Sequence, residues 1–204
     1  MPPAWWLRIV RQPGTMTRMN TICHKSLLLL GSALLAVCGS CAPSPPPKAQ
    51  PAMYSWNDDG GPGEVAMTIY LGNQMADVTR GGRPIAWTYV ATGKEGHGTR
   101  PGSYRITEKI VDKYSNRYGW TEDGFGNIIN PDAKAGQRVP EGEIYVPAPM
   151  PYWMRLTSYG IGMHAGIIPQ PGAPASHGCI RLPHGFAPRL FDIVREGTPV
   201  TIVE

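Results

Sequence analysis

Only four cysteines and three phenylalanines occur among the 204 residues, and charged residues make up just 17% of the chain. A disulfide-stapled scaffold is therefore excluded, because such scaffolds are small and cysteine-dense. No dense run of lysine or arginine with interleaved aromatics occurs, so the net charge of +4 does not argue for a nucleic-acid partner. The apolar run Leu27–Val37 is eleven residues long. A bilayer-crossing helix needs about 20 apolar residues, so this run is too short to span a membrane as a mature helix. What is abundant is glycine (25) and proline (22), which disfavours long helices and favours strands joined by turns. With 42% hydrophobic residues, the chain can bury one core of ordinary size.

Arg18, His24 and Lys25 precede the apolar run, which closes on small residues, the pattern of an export signal. Residues 1–41 are read as this leader, with Met19 or Met16 as the true start. Leu35-Ala36-Val37-Cys38-Gly39-Ser40-Cys41 resembles a bacterial lipoprotein box, with Cys38 or Cys41 as the lipidated residue. Val37 is bulky for the position before Cys38, and Cys38 is unusual three residues before Cys41. Ordinary signal-peptidase cleavage is the alternative. Residues 42–63 carry Pro43, Pro45, Pro46, Pro47 and Pro51 and then turn polar and glycine-rich, so they are read as a flexible tether. The expected location is the periplasm or cell envelope, with attachment to a membrane through the N-terminal lipid.

The domain is expected from residue 64 to 204. Strand-rich segments at Val65–Leu71, Met75–Thr79 and Ile85–Thr92 alternate with glycine-bearing turns and predict an opening β-meander. Ser103–Val111 reads as one strand, and residues 114–148 read as a long loop. Met154–Leu156, Gly160–His164, Ser176–Leu182 and Pro199–Val203 read as further strands. The helix candidate is His184–Glu196, where Phe186, Leu190, Ile193 and Val194 share a face and Gly197 follows as a stop. A mostly β fold with one or two short helices is the expectation.

If Cys23 leaves with the leader and Cys41 takes the lipid, the globular part keeps one cysteine, Cys179. A lone thiol in an oxidising compartment is unusual unless it is used. Cys179 lies in Ser176-His177-Gly178-Cys179-Ile180-Arg181, and His164 stands fifteen positions upstream. Cysteine attacks as the thiolate, which an adjacent imidazole can generate or stabilise. Gly178 permits close backbone approach and free amides for an oxyanion, which suits acyl transfer. A buried structural cysteine is the plain alternative. His164, His177, Cys179 and His184 are also all metal-ligand types within twenty-one residues. Tight CxxC or HxxxH pairs are lacking, although spacing alone leaves a three-ligand zinc site open. Arg181 is either a docking cation for substrate carboxylates or a paired surface arginine.

Gly160-Ile161-Gly162-Met163-His164-Ala165-Gly166, Ser176 to Arg181, and Gly197-Thr198-Pro199-Val200-Thr201-Ile202 together resemble the L,D-transpeptidase (YkuD-like) family of cell-wall enzymes in order and spacing. So do Thr92-Gly93-Lys94 and Thr99-Arg100-Pro101-Gly102-Ser103-Tyr104, where the family commonly has TGK and a TPxGxF-like turn. Here Arg100 interrupts Thr-Pro. The resemblance covers roughly Val65 to Glu204 and implies a YkuD-like β-sandwich or mixed sheet. By position it implies Cys179 as nucleophile, His164 as base and then acid, His177 as a supporting residue, and the Ala165 carbonyl as the group that orients the base.

Peptidoglycan stem peptides are the implied donor and acceptor, joined through a thioester without metal or organic cofactor. The implied product is a 3-3 cross-link. Attachment of an outer-membrane lipoprotein, exchange of D-amino acids and hydrolysis by water stay open, as does a non-catalytic wall-binding protein. Ser176, Arg181, Tyr152 and Trp153 are the candidate substrate contacts. Trp120, Phe125 and Tyr145 join Tyr152 and Trp153 as candidate aromatic walls, with core packing as the alternative.

Overall fold

Thirteen short strands and one helix account for the regular structure of residues 51–204, the part of the chain that the computed structural model describes. The leader, Cys38, Cys41 and the proline-rich segment up to residue 50 lie outside the described residues. Strands β1 (Tyr54–Trp56), β2 (Val65–Tyr70), β3 (Met75–Arg80), β4 (Arg83–Tyr89), β5 (Gly102–Arg105) and β13 (Pro199–Val203) form a six-stranded sheet in the order β1-β4-β3-β2-β13-β5. The alternation in β2 is what the sequence dictates: Val65, Met67 and Ile69 point inward and their neighbours do not. β2, β3 and β4 form the expected antiparallel meander.

A second sheet has the order β12-β11-β10-β6, from β6 (Glu108–Ile110), β10 (Trp153–Arg155), β11 (Gly162–Ala165) and β12 (Ile180–Leu182). Inward residues of both sheets, including Ile69, Val78, Met154, Met163 and Ile180, join α1 (Ala187–Ile193) in one core cluster. Phe186, fully buried, receives the edges of Tyr54 and Trp56 at 5.5 and 5.4 Å between ring centroids. Burial of such a phenyl group is worth about 1.5–3 kcal/mol.

Four elements differ from the sequence expectation. β1 pairs with β4 and packs on Phe186, so ordered structure begins ahead of residue 64, inside the segment read as tether. Two aromatics in a short polar stretch are enough to dock it. Ser103–Val111 is two strands in different sheets. The chain crosses between sheets at Ile106 and Thr107, whose amides donate to Thr198 and Arg155 carbonyls. The helix is shorter than His184–Glu196, since Val194 is already extended (ψ 157°).

Residues 114–148 are not a loop. They form a third sheet, order β8-β7-β9, from β7 (Tyr114–Asp123), β8 (Ile128–Lys134) and β9 (Glu143–Pro149). This ribbon, here called the flap, has little buried face, and Phe125, Ile128 and Ile144 are all exposed. A strand without a buried face leaves no period-two apolar pattern to read.

Gly162 shows how tightly the site-bearing sheet is built. A Cβ there would lie 2.5 Å from the Met154 carbonyl oxygen and 2.7 Å from the Trp153 ring. Gly162→Ala is expected to cost roughly 2–3 kcal/mol by overpacking. Urea unfolding would show this as a lower midpoint at unchanged slope. An unchanged midpoint would mean that the sheet is looser than described.

Candidate active site

Parallel pairing of β11 with β12 puts Met163 opposite Ile180 and His164 opposite Arg181. Side chains alternate along a strand, so Met163 and Ile180 point into the core while His164 and Arg181 share the other face. Cys179, two residues before Arg181, falls on that same face. It stands diagonal to His164 across the pair. The crossover between the two strands, residues 166–179, is a proline- and glycine-punctuated loop rather than the usual helix. It delivers the thiol to the start of β12.

His164 is held from two sides. His164 Nδ1 lies 2.8 Å from the Ala165 carbonyl oxygen, which leaves Nε2 as the proton-accepting atom. The Trp153 ring packs beside the imidazole, 6.3 Å between centroids. Burial lowers the His164 pKa to about 4, an effect that the Ala165 carbonyl opposes and that Arg181 and His184 reinforce. Burial also pushes the Cys179 thiol up, against the Gly162 backbone and Arg181, which favour the thiolate. At neutral pH the resting pair is thus thiol and neutral imidazole. A preformed thiolate–imidazolium pair is disfavoured because both charges would sit in a desolvated place.

A hydrogen-bonded turn presents the thiol. Gly178 has φ +115°, a conformation that side chains rarely adopt. Its amide donates to Ser176 Oγ at 3.0 Å, and Ser176 Oγ in turn donates to the Cys179 carbonyl. The Gly178 amide is therefore not free for an oxyanion. Thr99 Oγ1 accepts from the Gly93 amide at 2.9 Å and donates to the Gly178 carbonyl at 2.8 Å. The Thr99 turn is in this way tied to the residue before the nucleophile. The Cys179 thiol itself is half-buried and makes one weak contact, 3.8 Å to the Gly160 carbonyl.

His177 faces the flap. Its ring stacks on Tyr118 of β7 (centroids 4.5 Å, planes 16° apart), meets His97 edge-on at 4.8 Å, and brings Nε2 to 3.4 Å from Asp132 of β8. Burial and Lys94 lower its pKa while Asp132 raises it. Tyr118, Asp132 and His97 were not picked out from sequence. Two of them lie in the stretch read as loop, and the spacing of His97 matches no motif.

Of the four candidate substrate contacts, Trp153 and Ser176 are buried and Tyr152 and Arg181 are partly buried. Trp153 is 1% exposed, and its indole N–H donates to Glu108 at 3.0 Å, so it is a core residue that backs His164. Ser176 is 2% exposed and braces the turn. Tyr152 packs on Phe191 of α1. Arg181 is half-buried, with its methylenes against Gly166 and one N–H donated to the Ile167 carbonyl at 3.3 Å. Of the other aromatics, Phe125 is 93% exposed, and the Trp120 indole N–H donates to Glu122. Among the described residues no three His, Cys, Asp or Glu side chains come together as a metal-binding group, so His164, His177, Cys179 and His184 form no such set. A crevice of about 330 Å³ adjoins the turn, with His177, Gly178, Ile161, Thr99, Arg100 and Tyr104 among its walls.

The register thus places Cys179 and the buried His164 on one face of a parallel strand pair in a mixed-sheet domain. The family profile described as the L,D-transpeptidase catalytic domain matches residues 64–202, and the chain belongs to that family. Solved structures of similar fold include an L,D-transpeptidase from Mycobacterium smegmatis: 20% identity, TM-score 0.52, 69% of this chain and 59% of that one covered. Another comes from Stackebrandtia nassauensis: 22% identity, TM-score 0.50, coverage 69% and 56%. A third, an L,D-transpeptidase solved in complex with imipenem, shares 22% identity with a TM-score of 0.51 and coverage of 68% and 58%. The matched part thus spans less than two thirds of each of these structures. No curated protein matches the sequence significantly.

Proposed function

We propose that this protein is an exported L,D-transpeptidase that transfers acyl groups between peptidoglycan stem peptides. The main support is the register that places Cys179 and the buried His164 on the same face of the β11–β12 pair, in a chain of this family. As the thiol approaches the carbonyl of the L-centre in an L–D amide bond, His164 Nε2 accepts its proton, and the sulfur–carbon bond forms. The turn amides and Arg181 meet the charge that develops in this poorly hydrated place. The carbon–nitrogen bond then breaks, and the imidazolium returns its proton to the departing D-residue amine. An acceptor amine attacks the thioester, passes a proton to His164, and releases the sulfur. The acceptor proposed is the side-chain amine of a diamino acid on a second stem, which yields a 3-3 cross-link.

Mass analysis of muropeptides from cells with and without the protein tests this reading. Added 3-3 dimers are expected. Shortened stems without dimers would instead mean that water resolves the thioester, and an unchanged profile would contradict enzymatic action on the wall.

The export signal and lipoprotein box support a location in the envelope with a lipid anchor. A clickable fatty acid is expected to label the protein, and a Cys38→Ala/Cys41→Ala double variant is expected to lose the label. Labelling that survives both substitutions would overturn the anchor.

A further inference from the structure

Arg100 lines the crevice beside the turn that carries Cys179. We propose that Arg100 is a substrate-selecting residue that binds a carboxylate of the stem peptide; the inference rests on the reading above and deepens it.

Its position is built rather than incidental. The preceding residue, Thr99, is buried and bonded to the Gly178 carbonyl, one residue before Cys179. The following residue, Pro101, restricts Arg100 to extended backbone. The Arg100 carbonyl accepts from Tyr104 Oη at 2.9 Å. Arg100 is exposed and lines the same crevice wall as Tyr104. The walls hold no Asp or Glu at all: besides Arg100 they carry His97, His177 and the phenols of Tyr104 and Tyr159. Asp132, on the flap, faces His177.

Among the described residues Arg80, Arg83 and Arg155 pair with carboxylates and Arg105 and Arg181 donate to backbone carbonyls; Arg100, like Arg117, Arg138, Arg189 and Arg195, has neither kind of partner, and of these it is the one that lines this crevice. An unpaired guanidinium on a wall without acids is made for a planar anion, which it can grip through two parallel N–H donors. Stem peptides offer two such groups, the terminal carboxylate of the D-residue and the free carboxylate of the diamino acid.

Binding separates the selectivity from the chemistry. Dissociation constants would be measured for the full chain carrying Cys179→Ala, with and without Arg100→Gln. The ligands are a tetrapeptide stem with both carboxylates free, the same peptide amidated only at its C-terminus, and the same peptide amidated only on the diamino acid. Arg100→Gln is expected to weaken the free peptide about tenfold, the scale of one partly solvated charge-assisted contact. One of the two amidated peptides should bind like the free peptide to the Gln variant and be indifferent to the substitution, which identifies the carboxylate. Arg100→Lys should restore part of the loss. Equal weakening of all three peptides, no effect on any, or no measurable binding would overturn the proposal. A chain with Cys179 intact that binds with this selectivity yet forms no thioester would sink the transfer reading and leave the carboxylate site standing.

Discussion

Cys179→Ala is expected to abolish thioester formation and to lower stem-peptide transfer by roughly 10⁴–10⁶-fold, the scale on which loss of a nucleophile acts in enzymes of this kind. Stability should change little, within about 1 kcal/mol, because the thiol is half-buried and its contact with the Gly160 carbonyl is weak. Thermal unfolding and acylation, measured on the same preparation, separate the two effects. The turn that holds position 179 is made by Ser176 Oγ, Gly178 and Thr99, none of which needs the sulfur. A variant that transferred acyl groups at even a hundredth of the normal rate would show that another group attacks.

The second large effect concerns pH. With a pKa of about 4, His164 stays neutral and able to accept the thiol proton far below the usual histidine range. The acid limb of kcat/KM is therefore expected between about pH 4 and 5, with activity unaffected near pH 6.5, the value of an unperturbed imidazole. The same group makes folding pH-dependent. In the unfolded chain the imidazole takes its proton near pH 6.5; in the folded protein it does so only near pH 4. Between these values the unfolded state binds more protons, so stability falls as pH falls, by roughly 3 kcal/mol across the window, and is unaffected by this residue above it. Urea midpoints at pH 7, 5 and 4 should drop in the wild type and drop less in His164→Gln. An acid limb at pH 6 to 7 would contradict the buried, neutral base.

The pair at the centre of the site was legible because it is local in sequence and chemistry. Ser176 to Cys179 is one turn, and His164 lies one strand away. The meander of β2, β3 and β4 was legible because each strand has one buried face. The flap was not, since Ile128, Ile129 and Ile144 are exposed on a ribbon with no period to detect. Whether Trp153 is a site wall or a core residue is undecided in the sequence for a related reason. Neighbouring Tyr152 and Trp153 read alike as aromatics after a loop, and only the pairing of β10 with β6 and β11 shows that Trp153 is enclosed. The burial that shifts His164 likewise comes from tertiary packing, which residue types and spacing do not encode. The hand-over at Ile106, where one apparent strand serves two sheets, depends on partners far along the chain at Thr198 and Arg155.

The most direct test of the account is to mix the full chain with a tetrapeptide stem, quench in acid before the acyl group is passed on, and locate the added mass by peptide mapping. An acyl group on the peptide that contains Cys179, lacking the mass of the released D-residue and removable by hydroxylamine, is the expected result. Acylation at another residue, or product formed with no adduct at any time point, would contradict it.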